Sequence, residues 1–192
     1  MNSSIPVEFK VADKQWELNK IFDLNYRTFV EEIRQHSPNP DRILVDKFHR
    51  ENTYVICIQN KELLGMIAFR DKRPFSLDFK IKDLDAYLPA GCSICEIRLL
   101  AIEKKKRYSR ILQGLIKVLA DHALSLGHNL AIISGTLRQT KLYRHLGFVP
   151  FGPIVGSPKA RFQPMYLTLD AFVELEMRSR VFSKEMLTLK YR

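Results

Sequence analysis

Apolar and polar positions change their period several times along the 192 residues, and each change marks an element. Ile5 to Val11 alternates apolar with polar or small side chains, as an edge strand does. Asp13 is a helix-capping residue type. After it, Trp16, Leu18, Ile21, Phe22 and Leu24 recur near helical spacing. A second helical stretch covers Tyr26 to Ile33, and Ser37-Pro38-Asn39-Pro40 breaks it. Tyr54 to Ile58 and Leu63 to Phe69 are apolar runs joined by polar Gln59-Asn60-Lys61-Glu62, which predicts an antiparallel hairpin. Residues 70 to 90 are irregular, a long loop of the kind that often serves as a substrate lid.

Ile94 to Ile102 is the strongest strand. A helix follows over about Ser109 to Leu126, with Leu112, Leu115, Ile116, Leu119 and Ala123 on one face and Gly127 as its stop. Leu130 to Ser134 is a strand, and Leu137 to Leu146 a short helix ended by Gly147. Phe148-Val149-Pro150 opens a last hairpin that returns over Met165 to Leu169. A final helix runs from near Asp170 to about Val181, ahead of a basic tail. The order β-α-α-β-β-β-α-β-α-β predicts an α/β (α+β) fold, a mixed central sheet flanked by helices. One domain is expected over 1–170, followed by a C-terminal helix and basic tail over 171–192.

No apolar run approaches the roughly 20 residues of a membrane span. Met1-Asn2-Ser3-Ser4 has neither the basic nor the apolar part of an export signal, so the expected compartment is the cytoplasm. The net charge of +10 favours an anionic partner: a phosphate-rich cofactor, an acidic carrier protein or nucleic acid. Nucleic acid is not expected, because the basic residues are not interleaved with aromatics along one element. Three cysteines argue against a secreted disulfide scaffold. Cys92 and Cys95 form a CxxC without the second pair that a structural zinc needs, and the five histidines show no metal spacing, so no metal is expected.

The chemistry is expected where Ile94 to Ile102 ends. Lys104, Lys105, Lys106, Arg107 and Arg110 follow that strand and open a helix. Free N–H groups and positive dipole charge at a helix start suit a pyrophosphate, although a charge run is as often simply solvated. Downstream, Leu142-Tyr143-Arg144-His145-Leu146-Gly147-Phe148 closes the next helix.

Together the two segments resemble the GNAT superfamily of acyl-CoA N-acyltransferases. There, a strand–loop–helix with Q/R-x-x-G-x-G/A binds the CoA pyrophosphate, and an LYxxxGF-like element ends the neighbouring helix. The resemblance implies direct transfer of an acyl group from acetyl-CoA or another acyl-CoA to a small-molecule amine. It places Glu96 at the general base and Tyr143 at the acid that protonates the leaving thiolate. It assigns Leu100, Ala101 and Ile102 to pairing with pantetheine amides. Arg107, Tyr108, Ser109, Arg110, Ile111 and Leu112 become the phosphate loop, and Thr136 a further donor contact. Arg110 and Leu112 stand where that loop usually has glycine or alanine. On the residues alone, Glu96 has a competing role, because Arg98 two positions along a strand shares its face and offers an ion pair.

Other segments resemble the branch of autoinducer synthases and N-acyl amino acid synthases, which use long acyl chains commonly delivered by acyl carrier protein. Tyr26-Arg27-Thr28-Phe29-Val30-Glu31-Glu32, Val45-Asp46-Lys47-Phe48-His49 and Gly65-Met66-Ile67-Ala68-Phe69-Arg70 carry this likeness. Asn25 stands where that branch has an arginine, and His49 where it has an acidic residue. Arg70, Lys72 and Arg73 hint at a carboxylate or phosphate on the acceptor. A third expectation is a degenerate, non-catalytic binding module, prompted by Arg110, Leu112 and the basic surface.

Overall fold

The computed structural model describes residues 6–107, 110–158 and 160–175. The chain divides into two compact units, Met1–Arg73 with Cys95–Gly127 and Pro74–Ile94 with His128–Arg192.

The first unit is an antiparallel sheet with a helix against each face. Its strands are β1 (Glu8–Val11), β2 (Thr53–Gln59), β3 (Glu62–Arg70) and β4 (Ile94–Ile102), each paired antiparallel with the next. Between β2 and β3, Asn60 and Lys61 both take positive φ, 55° and 61°. A two-residue turn of that hand matches the twist of the flanking strands, which explains the tight hairpin. Side chains alternate between faces along a strand. Tyr54, Ile56 and Ile58 of β2 and Met66 and Ala68 of β3 therefore share a core with Ile21, Phe22, Leu24 and Phe29. On the other face, Ile111 of α2 (Ile111–Ser125) lies over Gly65, and His122 meets the Phe69 ring edge-on at 5.0 Å.

Helix α1 (Gln15–Asn25) is capped differently from expectation. Asp13 pairs with Lys10 at 2.6 Å, while the carboxylate of buried Glu17 reaches back to the backbone N–H groups of Asp13 and Lys14 at 2.9 and 3.2 Å. A carboxylate at the third helical position can satisfy orphan donors of the first turn in this way. The second helical stretch is not a separate helix. Tyr26–Glu32 continues α1 as a π-helix, a wider turn often found at functional sites.

The second unit contains β5 (Leu130–Thr136), a 3₁₀ turn at Leu137–Gln139, α3 (Thr140–His145), β6 (Val149–Pro150), β7 (Val155–Ser157) and β8 (Ala160–Thr168). β5, β6 and β7 all pair antiparallel with β8, so the last hairpin is longer than its sequence pattern suggested. The segment over 70–90, read from sequence as a lid, supplies part of this unit's core. Phe75, Leu77, Ile81, Leu84 and Leu88 pack with Leu130, Ile132, Phe151 and Val155. Gly127 and Gly147 sit just past the helix ends at φ 79° and 90°, as glycine stop signals require. Residues 169–175 are helical, and the remainder of the expected C-terminal helix and tail lies outside the described residues.

One buried side chain of α1 opposes this packing. Asn25 is fully buried, and neither of its amide atoms has a partner among the described residues. An unpaired buried amide costs on the order of 1–3 kcal/mol. Asn25→Leu is therefore expected to stabilise the protein by about 1 kcal/mol, read as a raised urea midpoint with an unchanged slope. A lowered midpoint would show that the amide is satisfied in solution.

Candidate active site

β3 and β4 place charge where a core would normally be apolar. Arg70 lies opposite Glu96 in the ladder, and Ala68 opposite Arg98, so Arg70, Glu96 and Arg98 share one face. Glu96 is completely buried and Arg70 nearly so, at 1% exposure. Buried charge persists only when paired. The segment before β2 supplies the partners. Asp46 accepts a hydrogen bond from Arg98 at 2.9 Å, and Glu51 pairs with Arg70. Arg98 also approaches Glu96, at a looser 3.5 Å. The Phe48 ring lies under both guanidinium groups, at 4.0 Å from Arg70 and 4.6 Å from Arg98.

Polar side chains hold this cluster in position. Asn52 donates to Asp46 at 2.7 Å and to the Tyr54 hydroxyl at 3.3 Å, and His49 approaches the same hydroxyl at 3.3 Å. Burial pushes the Tyr54 phenol above its ordinary pKa, so it stays protonated. Sequence reading anticipated Glu96, its Arg98 neighbour and Arg70. It did not anticipate Glu51, Asn52, Tyr54 or the stacking role of Phe48. The only available signal was the run Val45-Asp46-Lys47-Phe48-His49, which does not say which strand it meets.

Beyond Arg98 the strand is not regular. Leu99 has φ 50°, an uncommon value for a leucine, and the register shifts so that Leu99 and Leu100 together oppose Ile67. Such a bulge bends one strand away from its partner. It also reverses parity. Ala101 faces the α1 core, as Arg98 does before the bulge, while Ile102 turns to the α2 side.

The basic loop follows. Lys104–Lys106 form a 3₁₀ turn, and α2 starts at Ile111, two residues later than predicted. Arg107 donates to the Ile102 carbonyl at 3.1 Å and grips both oxygens of Glu32, at 2.5 and 2.7 Å. Its guanidinium holds the Glu32 carboxyl below the usual carboxylate range. Arg110 is exposed at the start of α2, Ile111 is buried against Gly65, and Leu112 is half-buried. Tyr108 and Ser109 lie outside the described residues.

Tyr143 belongs to the second unit. Its ring lies so close over Gly135 that a methyl group there would come within 2.8 Å, which explains the glycine. Its hydroxyl donates to Gln139 Oε1 at 2.8 Å, and burial raises its pKa. Thr136 ends β5, with its hydroxyl 3.4 Å from the same Gln139 oxygen. Desolvation pushes the Cys57 thiol up to about 11 and Cys95 to about 12, so neither offers a thiolate at neutral pH. Among the described residues no group of three or more His, Cys, Asp or Glu could hold a metal ion, and no helix is long and apolar enough to cross a membrane.

A family model described as N-acyl amino acid synthase FeeM matches residues 20–170. No curated protein matches the chain by sequence. Several solved structures share its fold. The N-acyl amino acid synthase FeeM from uncultured soil microbes is 16% identical, with a TM-score of 0.69 over 88% of this chain and 93% of that one. A CoA-dependent acyl-homoserine lactone synthase, BjaI, solved with SAM and isopentyl-CoA, is 17% identical, with a TM-score of 0.66 over 84% and 81%. An acyl-CoA N-acyltransferase from Pseudomonas aeruginosa is 14% identical, with a TM-score of 0.59 over 86% and 100%. The fold class is the helix-flanked mixed sheet of the acyltransferases that the sequence predicted.

The buried cluster generates a stability prediction. Arg98→Met would leave Asp46 without its guanidinium while preserving most of the side-chain volume. Removing one partner of a buried ion pair is expected to cost about 3 kcal/mol. Chemical denaturation measures this, and a loss below about 1 kcal/mol would place the pair with surface salt bridges instead.

Proposed function

The chain belongs to the FeeM family of N-acyl amino acid synthases, and from that premise we propose that it joins a long-chain acyl group to the amine of an amino-acid-like acceptor. The enzyme is an acyltransferase. The observation that carries the acceptor class is the cluster on β3 and β4. It presents buried Glu96 and Arg70 and half-buried Arg98 on one face, with half-buried Asp46 of the segment before β2 against Arg98. An α-amino acid brings one ammonium and one carboxylate, and a site with both signs of charge suits both. The guanidinium fork matches a carboxylate, and the buried carboxylates match an ammonium.

In this reading Glu96 takes the ammonium proton, directly or through a water. The free amine attacks the thioester carbonyl, the adduct nitrogen gives its second proton to water, the carbon–sulfur bond breaks, and the thiolate takes a proton from Tyr143, which regains one from solvent. An amide and a free thiol leave, with no covalent enzyme intermediate. Burial keeps the Tyr143 phenol in its protonated form, so a proton is in place when the thiolate leaves. Leu100 lies in the bulge and Ala101 and Ile102 follow it, and backbone groups that the bulge leaves unpaired would be open to pantetheine amides. Arg107, Tyr108, Ser109, Arg110, Ile111, Leu112 and Thr136 would line the donor's path. Arg110, exposed at a helix start, supplies charge where relatives use glycine.

The donor is either a long-chain acyl-CoA or an acyl carrier protein thioester. Family membership supports the long chain over acetyl, and the net charge of +10 suits either anionic carrier. Purified protein offered acetyl-CoA, long-chain acyl-CoA and acyl carrier protein thioesters, each with an amino acid mixture, is expected to release long-chain N-acyl amino acids by mass spectrometry. Turnover with acetyl-CoA alone would overturn the long-chain reading. Glu96→Gln is expected to lower kcat roughly a hundredfold below the acceptor amine's pKa. The loss should shrink as pH rises and the amine deprotonates unaided. Equal loss at every pH would contradict the base assignment.

A further inference from the structure

The π-helix Tyr26–Glu32 and the loop after β4 are joined by two ion pairs of opposite polarity. Arg27 on the π-helix reaches Glu103 of the loop at 2.6 Å. At its end, Glu32 meets Arg107 of the loop through both carboxylate oxygens. The third donor direction of Arg107 goes to the Ile102 carbonyl. The guanidinium fork is thus filled by a carboxylate in the geometry that it would use for two phosphate oxygens. Arg107 is only about one-third exposed, at 34%, and Glu32 at 39%, so the pair is open enough for an incoming anion to contest it.

We propose that Glu32 is an internal stand-in for the donor's phosphate, and that a phosphate-bearing pantetheine donor exchanges with it at Arg107. The inference rests on the reading of Arg107 as a donor contact. Glu32 then acts as a determinant of donor affinity rather than as part of the reacting site. It keeps the loop docked to the π-helix while no donor is present, and its negative charge opposes the phosphate until the exchange takes place. A half-exposed pair of this kind contributes little to folding, so its retention costs little. The bidentate geometry explains why it forms. Arg107 is anchored at both ends by the protein itself, to Ile102 and to Glu32.

Two probes separate the phosphates that could be involved. CoA carries the pyrophosphate, and 4′-phosphopantetheine carries the single phosphate next to the pantetheine arm. Calorimetry on the full chain is expected to show that Glu32→Gln binds at least one of them roughly three- to tenfold more tightly than the parent. Glu31→Gln makes the same change in net charge beside it, where Glu31 pairs with Arg42, and should not reproduce the gain. In an Arg107→Gln background the Glu32 substitution should have no effect, because the gain runs through that guanidinium. Several results would overturn the proposal: no gain with either probe, an equal gain from Glu31→Gln, a gain that survives without Arg107, or no binding to any variant. Turnover of the parent with long-chain donors, measured in parallel, reports on the proposed function separately. Turnover without a Glu32 effect removes this inference alone, and a Glu32 effect without turnover removes only the proposed reaction.

Discussion

A carboxylate with no exposure to solvent sets the terms for the first unit. Glu96 sits on the strand that the rest of the sheet is built against, and a charge there is untenable without compensation. Arg70 on the neighbouring strand and Arg98 on its own strand face the same side and bring positive charge to it. Those two cations in turn need partners, and the chain before β2 returns to provide Asp46 and Glu51. Phe48 fills the space between them with a flat surface that tolerates cations. This requirement helps to hold the segment of 46–52, whose backbone structure is a turn from Asp46 to His49 and the short 3₁₀ turn His49–Glu51.

Such a cluster is an expensive way to stabilise a protein. Well-packed apolar residues in the same volume would usually serve as well or better. Its persistence on the buried face of two central strands is therefore an argument for chemistry. The bulge at Leu99 points the same way. It places a leucine in the left-handed region and breaks a ladder that would otherwise run unbroken to Ile102. Both departures from ordinary packing fall within five residues of each other on β4, next to the basic loop. A buried carboxylate and a left-handed leucine thus stand three residues apart on the strand that the acyltransferase reading makes central.

Much of the architecture was legible in advance because it follows from local rules. Alternation found the hairpin of β2 and β3, and glycines at 127 and 147 marked two helix ends where a positive φ is needed. The errors have equally local causes. A helical period cannot distinguish a new helix from a widened turn, so the π-helix was read as a separate element. Punctuation by proline and charge made 70–90 look loose, yet five apolar side chains spread through it anchor it in the core. A one-residue bulge inside an apolar strand leaves no trace in the pattern, because both faces of β4 carry leucine and isoleucine there.

The sequence by itself determined the fold class, the superfamily and most of the order of elements, because these rest on periodicity and on short motifs with fixed spacing. It also named Glu96, Tyr143 and Arg107, since their residue types stand at recognisable positions. Tertiary structure alone decided their surroundings. Register put Arg70 beside Glu96, a returning loop brought Asp46 to Arg98, and a π-helix carried Glu32 to Arg107 across 75 positions of sequence. Those pairings join segments far apart in the chain, and electrostatic partnership over such separations has no local signature to read.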